Sequence, residues 1–196
     1  MTPKQIEKAK AQIVAIRKTI AAEKRQWGGY HDGRGLRYAP PQYYVKISDF
    51  KGAMTYFRWF QKNFEDDCGT PYFLFEWCIT LFKNGKFKEA EKKAVETFMS
   101  NTYLIDRFFG KPFHALLDKS PCSAWQKEQL IRYAPYSTEQ VALKDFTDWL
   151  AQFVQSDKYQ TITAAFIETE IQLLTEPVGA KRSELVDKKC QMLDAF

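Results

Sequence analysis

Apolar residues recur at three- and four-residue spacing along this chain, and nowhere do they alternate for long enough to build a strand. That periodicity restricts the fold more than any other feature, because it puts apolar side chains on one face of a helix and gives a sheet no inner face. The fold class it predicts is all-α. Thr2, Pro3 and Gln5 supply an N-cap, a first-turn proline and a capping-box partner. Ile6, Ala9, Ile13, Ile16, Ile20 and Trp27 then fall on one stripe, which ends at Gly28 and Gly29. Further helices are predicted over Asp49–Phe64, from Thr70–Pro71 to Lys83, over Lys86–Met99 and over Ser100–Phe109. Ser120–Pro121 opens another, ending near Pro135. Ser137 and Gln140 form a second capping box, at the start of a helix with Leu143, Phe146, Leu150 and Phe153. Ile162, Phe166, Ile171 and Leu174 mark the next, and Leu185, Met192 and Leu193 lie on a last one beyond Pro177 and Gly179.

With 196 residues, 45% of them hydrophobic, the chain can bury a sizeable core. Three portions are expected: an N-terminal amphipathic helix (1–29), helix pairs (30–112), and a C-terminal helical portion (113–196) packed in the same domain. The longest apolar stretch, Tyr72 to Phe82, is interrupted by Glu76 and too short to span a bilayer. The first residues carry charges through their apolar positions, so no secretory leader is expected and the location read from this is cytoplasmic. Cys68, Cys78, Cys122 and Cys190 are widely spaced, which predicts buried thiols rather than disulfides. His31 and His114 are the only histidines, so no histidine-rich metal site is expected.

Two segments align on an inter-helix turn. Ile47–Phe60 (ISDFKGAMTYFRWF) matches Asn84–Thr97 (NGKFKEAEKKAVET), with an aromatic residue two positions after the turn (Phe50, Phe87) and an alanine three later (Ala53, Ala90). This resembles the second half of a tetratricopeptide repeat, over about residues 40–104. Gly33–Pro112 is also similar to an uncharacterised bacterial family of tetratricopeptide-like proteins. The resemblance implies antiparallel helix pairs in a right-handed array with additional C-terminal helices. It also implies a protein-interaction or scaffolding role. By that alignment a groove would carry Gln42, Val45, Lys46, Tyr72, Phe75, Ile79 and Lys83. Chaperone-adaptor members of that family grip a terminal carboxylate with Lys and Asn on their first helices. No Asn stands in the expected places here, so no such clamp is implied.

Chemistry-bearing patterns are few. Neither histidine has a patterned Ser or Cys beside it, and Glu168 and Glu170 cannot share a helix face. No catalytic residues, metal or cofactor are therefore assigned. DGRGLR (Asp32–Arg37) lacks the lysine of a phosphate loop and the third glycine of a dinucleotide fingerprint. Its glycines and arginines suit a small anion site, or else a structural loop whose arginines pair with carboxylates such as Asp32 or Glu76. The partner-binding residues read from the sequence are His31, Arg34, Arg37, Tyr38, Gln42, Lys46, Tyr72 and Lys83, facing a protein or acidic peptide. Residues 1–38 carry nine Lys or Arg against three Asp or Glu, a net +6 that leaves the remainder at −1. A nucleic-acid-associated protein using 1–38 is therefore the alternative, and an enzyme of unrecognised type the third. Sixteen of the aromatic residues fall between Tyr30 and Phe87. Phe50, Phe57, Phe60, Trp77 and Phe87 lie on core stripes there, while Tyr38, Tyr43 and Tyr72 lie off them.

Overall fold

Thr2 and Gln5 close the expected capping box at the start of α1 (Pro3–Trp27): the Thr2 hydroxyl accepts from the Gln5 N–H, and the Gln5 side chain accepts from the Thr2 N–H. In this computed structural model the described residues are 1–30, 32–112, 127, 128, 130 and 132–196, and all their regular structure is helical. After α1 come a 3-10 turn at Leu36–Tyr38, then α2 (Pro40–Lys46), α3 (Phe50–Asn63), α4 (Pro71–Lys83) and α5 (Phe87–Ser100). Then follow α6 (Leu104–Phe108), α7 (Lys144–Phe153), α8 (Asp157–Thr175) and α9 (Ala180–Ala195). No helix among the described residues is long and apolar enough to cross a membrane. The expected helix start at Ser120–Pro121 lies outside the described residues, as do His31, His114 and Cys122.

The chain divides into two compact units, Met1–Ala90 and Glu91–Phe196, the division falling inside α5. In the first, α2 packs against α1, α3 and α4. The α1 stripe is buried at Ala9, Ile13 and Ile20, but Trp27 is 63% exposed, so the buried seam ends about two turns before the helix does. The centre of the unit is aromatic. Phe57 stacks on Trp77 at 4.6 Å between ring centroids, and Phe73 sits edge-on to Phe57 at 5.2 Å. Such pairs add specific geometry to a large buried apolar area.

Small residues set how closely the helices approach. A Cβ added at Gly52 would lie 2.7 Å from a ring carbon of Tyr44 on α2 and 2.3 Å from Asp49, whose side chain caps α3 by accepting from the Gly52 N–H. Gly52→Ala is therefore expected to destabilise the protein by about 1–3 kcal/mol, although alanine is the better helix former by about 1 kcal/mol. Thermal denaturation checks this; a raised Tm would overturn the close contact. Ala53 and Ala90 are both fully buried. The two turn-following aromatics behave otherwise: Phe50 is only half-buried beneath the Lys83 ammonium, and Phe87 is 51% exposed with its ring against Phe82. Phe87 is the first residue of α5, and its ring meets Phe82 near the end of α4. Gly85 makes the turn between α4 and α5 at φ 72°, a conformation glycine adopts without strain.

In the second unit, Asn101 ends α5 by accepting the Tyr103 N–H on its side chain, so α6 is shorter than the spacing predicts. The Ser137/Gln140 pair does not open a helix. Gln140 instead pins the loop by donating to the Pro135 carbonyl and accepting from the Ser137 N–H, and α7 begins at Lys144 after a 3-10 turn. The α8 helix buries Tyr159, Thr163, Phe166 and Thr169, whereas Ile171 and Leu174 are exposed. The reason is local: the Thr163 and Thr169 hydroxyls donate to the carbonyls of Tyr159 and Ala165 at 2.8 Å. With their hydroxyls satisfied within the helix, these threonines are buried as small apolar residues, and the core face lies away from the isoleucines. Helix α9 packs on α8 through Leu185, and Arg182 donates to the carbonyls of Leu173 and Glu176 at the end of α8.

Candidate functional site

Asp32, buried, organises the loop before α2. Its carboxylate accepts the N–H groups of Leu36 and Arg37 at 2.9 and 2.7 Å, which holds the 3-10 turn in place. The Arg37 guanidinium then points inward. Nε donates to Asp67 at 2.6 Å, Nη1 to the carbonyl and carboxylate of Asp32, and Nη2 to the Tyr38 hydroxyl at 2.8 Å. Tyr38 donates onward to Asp67 at 2.7 Å, and the Tyr56 hydroxyl donates to the Arg37 carbonyl. Burial works against a charged Asp67, but hydrogen bonds from Tyr38, the Gly69 N–H and Arg37, with the arginine's charge, hold its carboxyl below the usual range. Burial and the bond to Asp67 push the Tyr38 phenol up to about 12. Arg37 and Tyr38 thus tie the loop to the Asp67 segment, and their polar atoms face each other rather than solvent.

The other sequence-assigned residues are placed differently. Arg34 is exposed and pairs with no carboxylate among the described residues. Lys46 is exposed on α2 and Gln42 half-buried there; Tyr72 and Lys83 are half-buried on α4, which packs against α2. Val45, Phe75 and Ile79 are buried, so the apolar part of the aligned groove is core and not an open surface. His31 lies outside the described residues. Of the cysteines, Cys78 is buried and its thiol donates to the Ala90 carbonyl, but Cys68 and Cys190 are exposed, contrary to the expectation of buried thiols.

A recess that the sequence reading missed lies wholly within the second unit. It measures about 660 Å³ and is bounded by the end of α5, by α6 and by α8. Phe98, Ile105 and Tyr159 form its buried wall, with Ile167 and Ile171 on α8 nearer solvent. Polar groups enter from Thr102, Asp106, Lys111 and Glu168. A signal existed in the sequence: Ile167 and Ile171 are four apart on α8, but their distance from Thr102 and Asp106 in the chain hides the convergence.

No protein-family model matches the chain, and no curated protein or solved structure matches it. A functional reading therefore rests on the residues themselves. The N-terminal unit offers a locked loop with the exposed Arg34, and one exposed basic residue, Lys46, on α2. The C-terminal unit offers a half-open apolar recess with polar groups at its edge.

Proposed function

We propose that this chain works by binding rather than catalysis, its N-terminal unit being a tetratricopeptide-like array of antiparallel helix pairs that receives an acidic segment of a protein partner. The observation that carries the reading is that α2 packs on both α3 and α4. In stacked helix pairs, a first helix touches its own second helix and the first helix of the next pair. Ala53 and Ala90, at matching distances after their turns and without exposure, support it. Arg34 and Lys46, both exposed, supply charge for acidic side chains, with Gln42, Tyr72 and Lys83 on the two adjoining helices.

A second reading is favoured by one feature of α1. Lys4, Lys8, Arg17, Lys18 and Arg25 are all exposed and pair with no carboxylate among the described residues, which suits a nucleic-acid backbone. One experiment separates the two. The full chain and its Arg34→Glu/Lys46→Glu variant are used to capture partners from nuclease-treated extract of the native cell, with identification by mass spectrometry. The variant is expected to keep its Tm and to retain about tenfold less of a protein partner. Equal retention by the variant overturns the first reading, and loss of all partners on nuclease treatment favours the second.

A further inference from the structure

The recess on the C-terminal unit has no part in that reading. We propose that it is a binding site for a small neutral amphipathic molecule, with an aryl or alkyl body and one uncharged hydrogen-bonding head such as a hydroxyl or an arylamine. Its size of about 660 Å³ falls in the range that encloses most of a small ligand. Phe98, Ile105, Val154 and Tyr159 give it a buried wall of apolar and aromatic side chains. At the mouth, Ile171 keeps 38% of its surface in water although its helix has another face buried in the core. An apolar body laid along α8 would cover it.

The head group is argued from Thr102. Its hydroxyl oxygen is buried at the recess wall and has no hydrogen-bond partner among the described residues, whereas Thr163 on the same wall donates its hydroxyl to a helix carbonyl. A buried hydroxyl left unpaired is unfavourable, and rotation about its Cα–Cβ bond presents it to a bound ligand, as donor or acceptor. Charge argues against an anionic head. Asp106 and Glu168 line the recess against Lys111, so the described lining carries more negative than positive groups. A carboxylate-headed molecule meets repulsion there that an alcohol does not.

The test uses the full chain and the neutral fluorescent probe N-phenyl-1-naphthylamine. Saturable binding at one site per chain is expected, with 1-octanol displacing the probe at least about tenfold better than octanoate. Ala164→Trp, which fills the recess from an exposed position on α8, is expected to weaken probe binding at least about tenfold with Tm unchanged. Should that variant fold poorly, Ile171→Lys places a charge at the mouth and is expected to weaken binding similarly. Thr102→Val is expected to weaken it about threefold to tenfold. The proposal is overturned if the wild-type chain shows no saturable binding, or if the folded α8 variant binds as tightly as wild type. It is also overturned if octanoate displaces the probe as well as octanol.

Discussion

Phe57→Ala is expected to lower the stability of the protein by about 3–5 kcal/mol. Phe57 is 1% exposed and lies between Trp77, on which it stacks, and Phe73, which meets it edge-on. Truncation removes both ring contacts and leaves a cavity that the neighbouring rings, fixed on α3 and α4, cannot collapse to fill. The matched control is Phe87→Ala, expected to cost less than about 1 kcal/mol because that ring is already 51% exposed. Urea denaturation followed by far-ultraviolet circular dichroism measures both. Equal losses for the two variants would refute the division between a buried α3–α4 aromatic core and an outlying Phe87.

Arg37→Ala is expected to destabilise by about 3 kcal/mol, because it strips the partner from carboxylates that are nearly out of water. The side chains of Asp32 and Asp67 are 1% and 14% exposed. Arg37→Lys should restore little of the loss: one ammonium cannot reach Asp67, Asp32 and Tyr38 together as the guanidinium fork does. The pH dependence gives an independent reading. Asp67 is held below its ordinary value of 3.8, so its contribution is fully present above that pH and is lost as pH falls through the folded value. Tyr38 is pushed from 10.0 up to about 12, so its contribution is fully present below 10.0 and is lost as pH rises toward 12. The arginine depresses Asp67 but also opposes the rise of Tyr38. In Arg37→Ala the acid loss of Tm should therefore flatten while the alkaline loss persists. An acid limb unchanged from wild type would show that Tyr38 and the Gly69 N–H hold Asp67 down without help from Arg37.

Much of the candidate surface was legible only as residue types. Arg34 and Arg37 are three residues apart in a glycine-containing loop and look equivalent in sequence. They differ because Asp67, thirty residues beyond Arg37, folds back to meet one of them, and nothing local marks that pairing. The recess was illegible for a related reason: Thr102 and Ile167 lie more than sixty positions apart in the chain, and only the fold brings them to one recess.

The all-α class, the cap that starts α1, the glycine turn before α5 and the matched spacing of Ala53 and Ala90 can all be read without the fold. These depend on short-range chemistry: side-chain spacing, hydroxyl and amide caps, backbone freedom and the absence of a Cβ or a bulky group. Which of the equally apolar residues became core depended on long-range packing. Trp27, Phe87 and Ile171 fit helical stripes yet remain exposed, while Thr163 and Thr169 are buried. A stripe says that a face is apolar. Whether that face is covered depends on where another helix ends, and whether a threonine can be buried depends on a hydrogen bond made within its own helix.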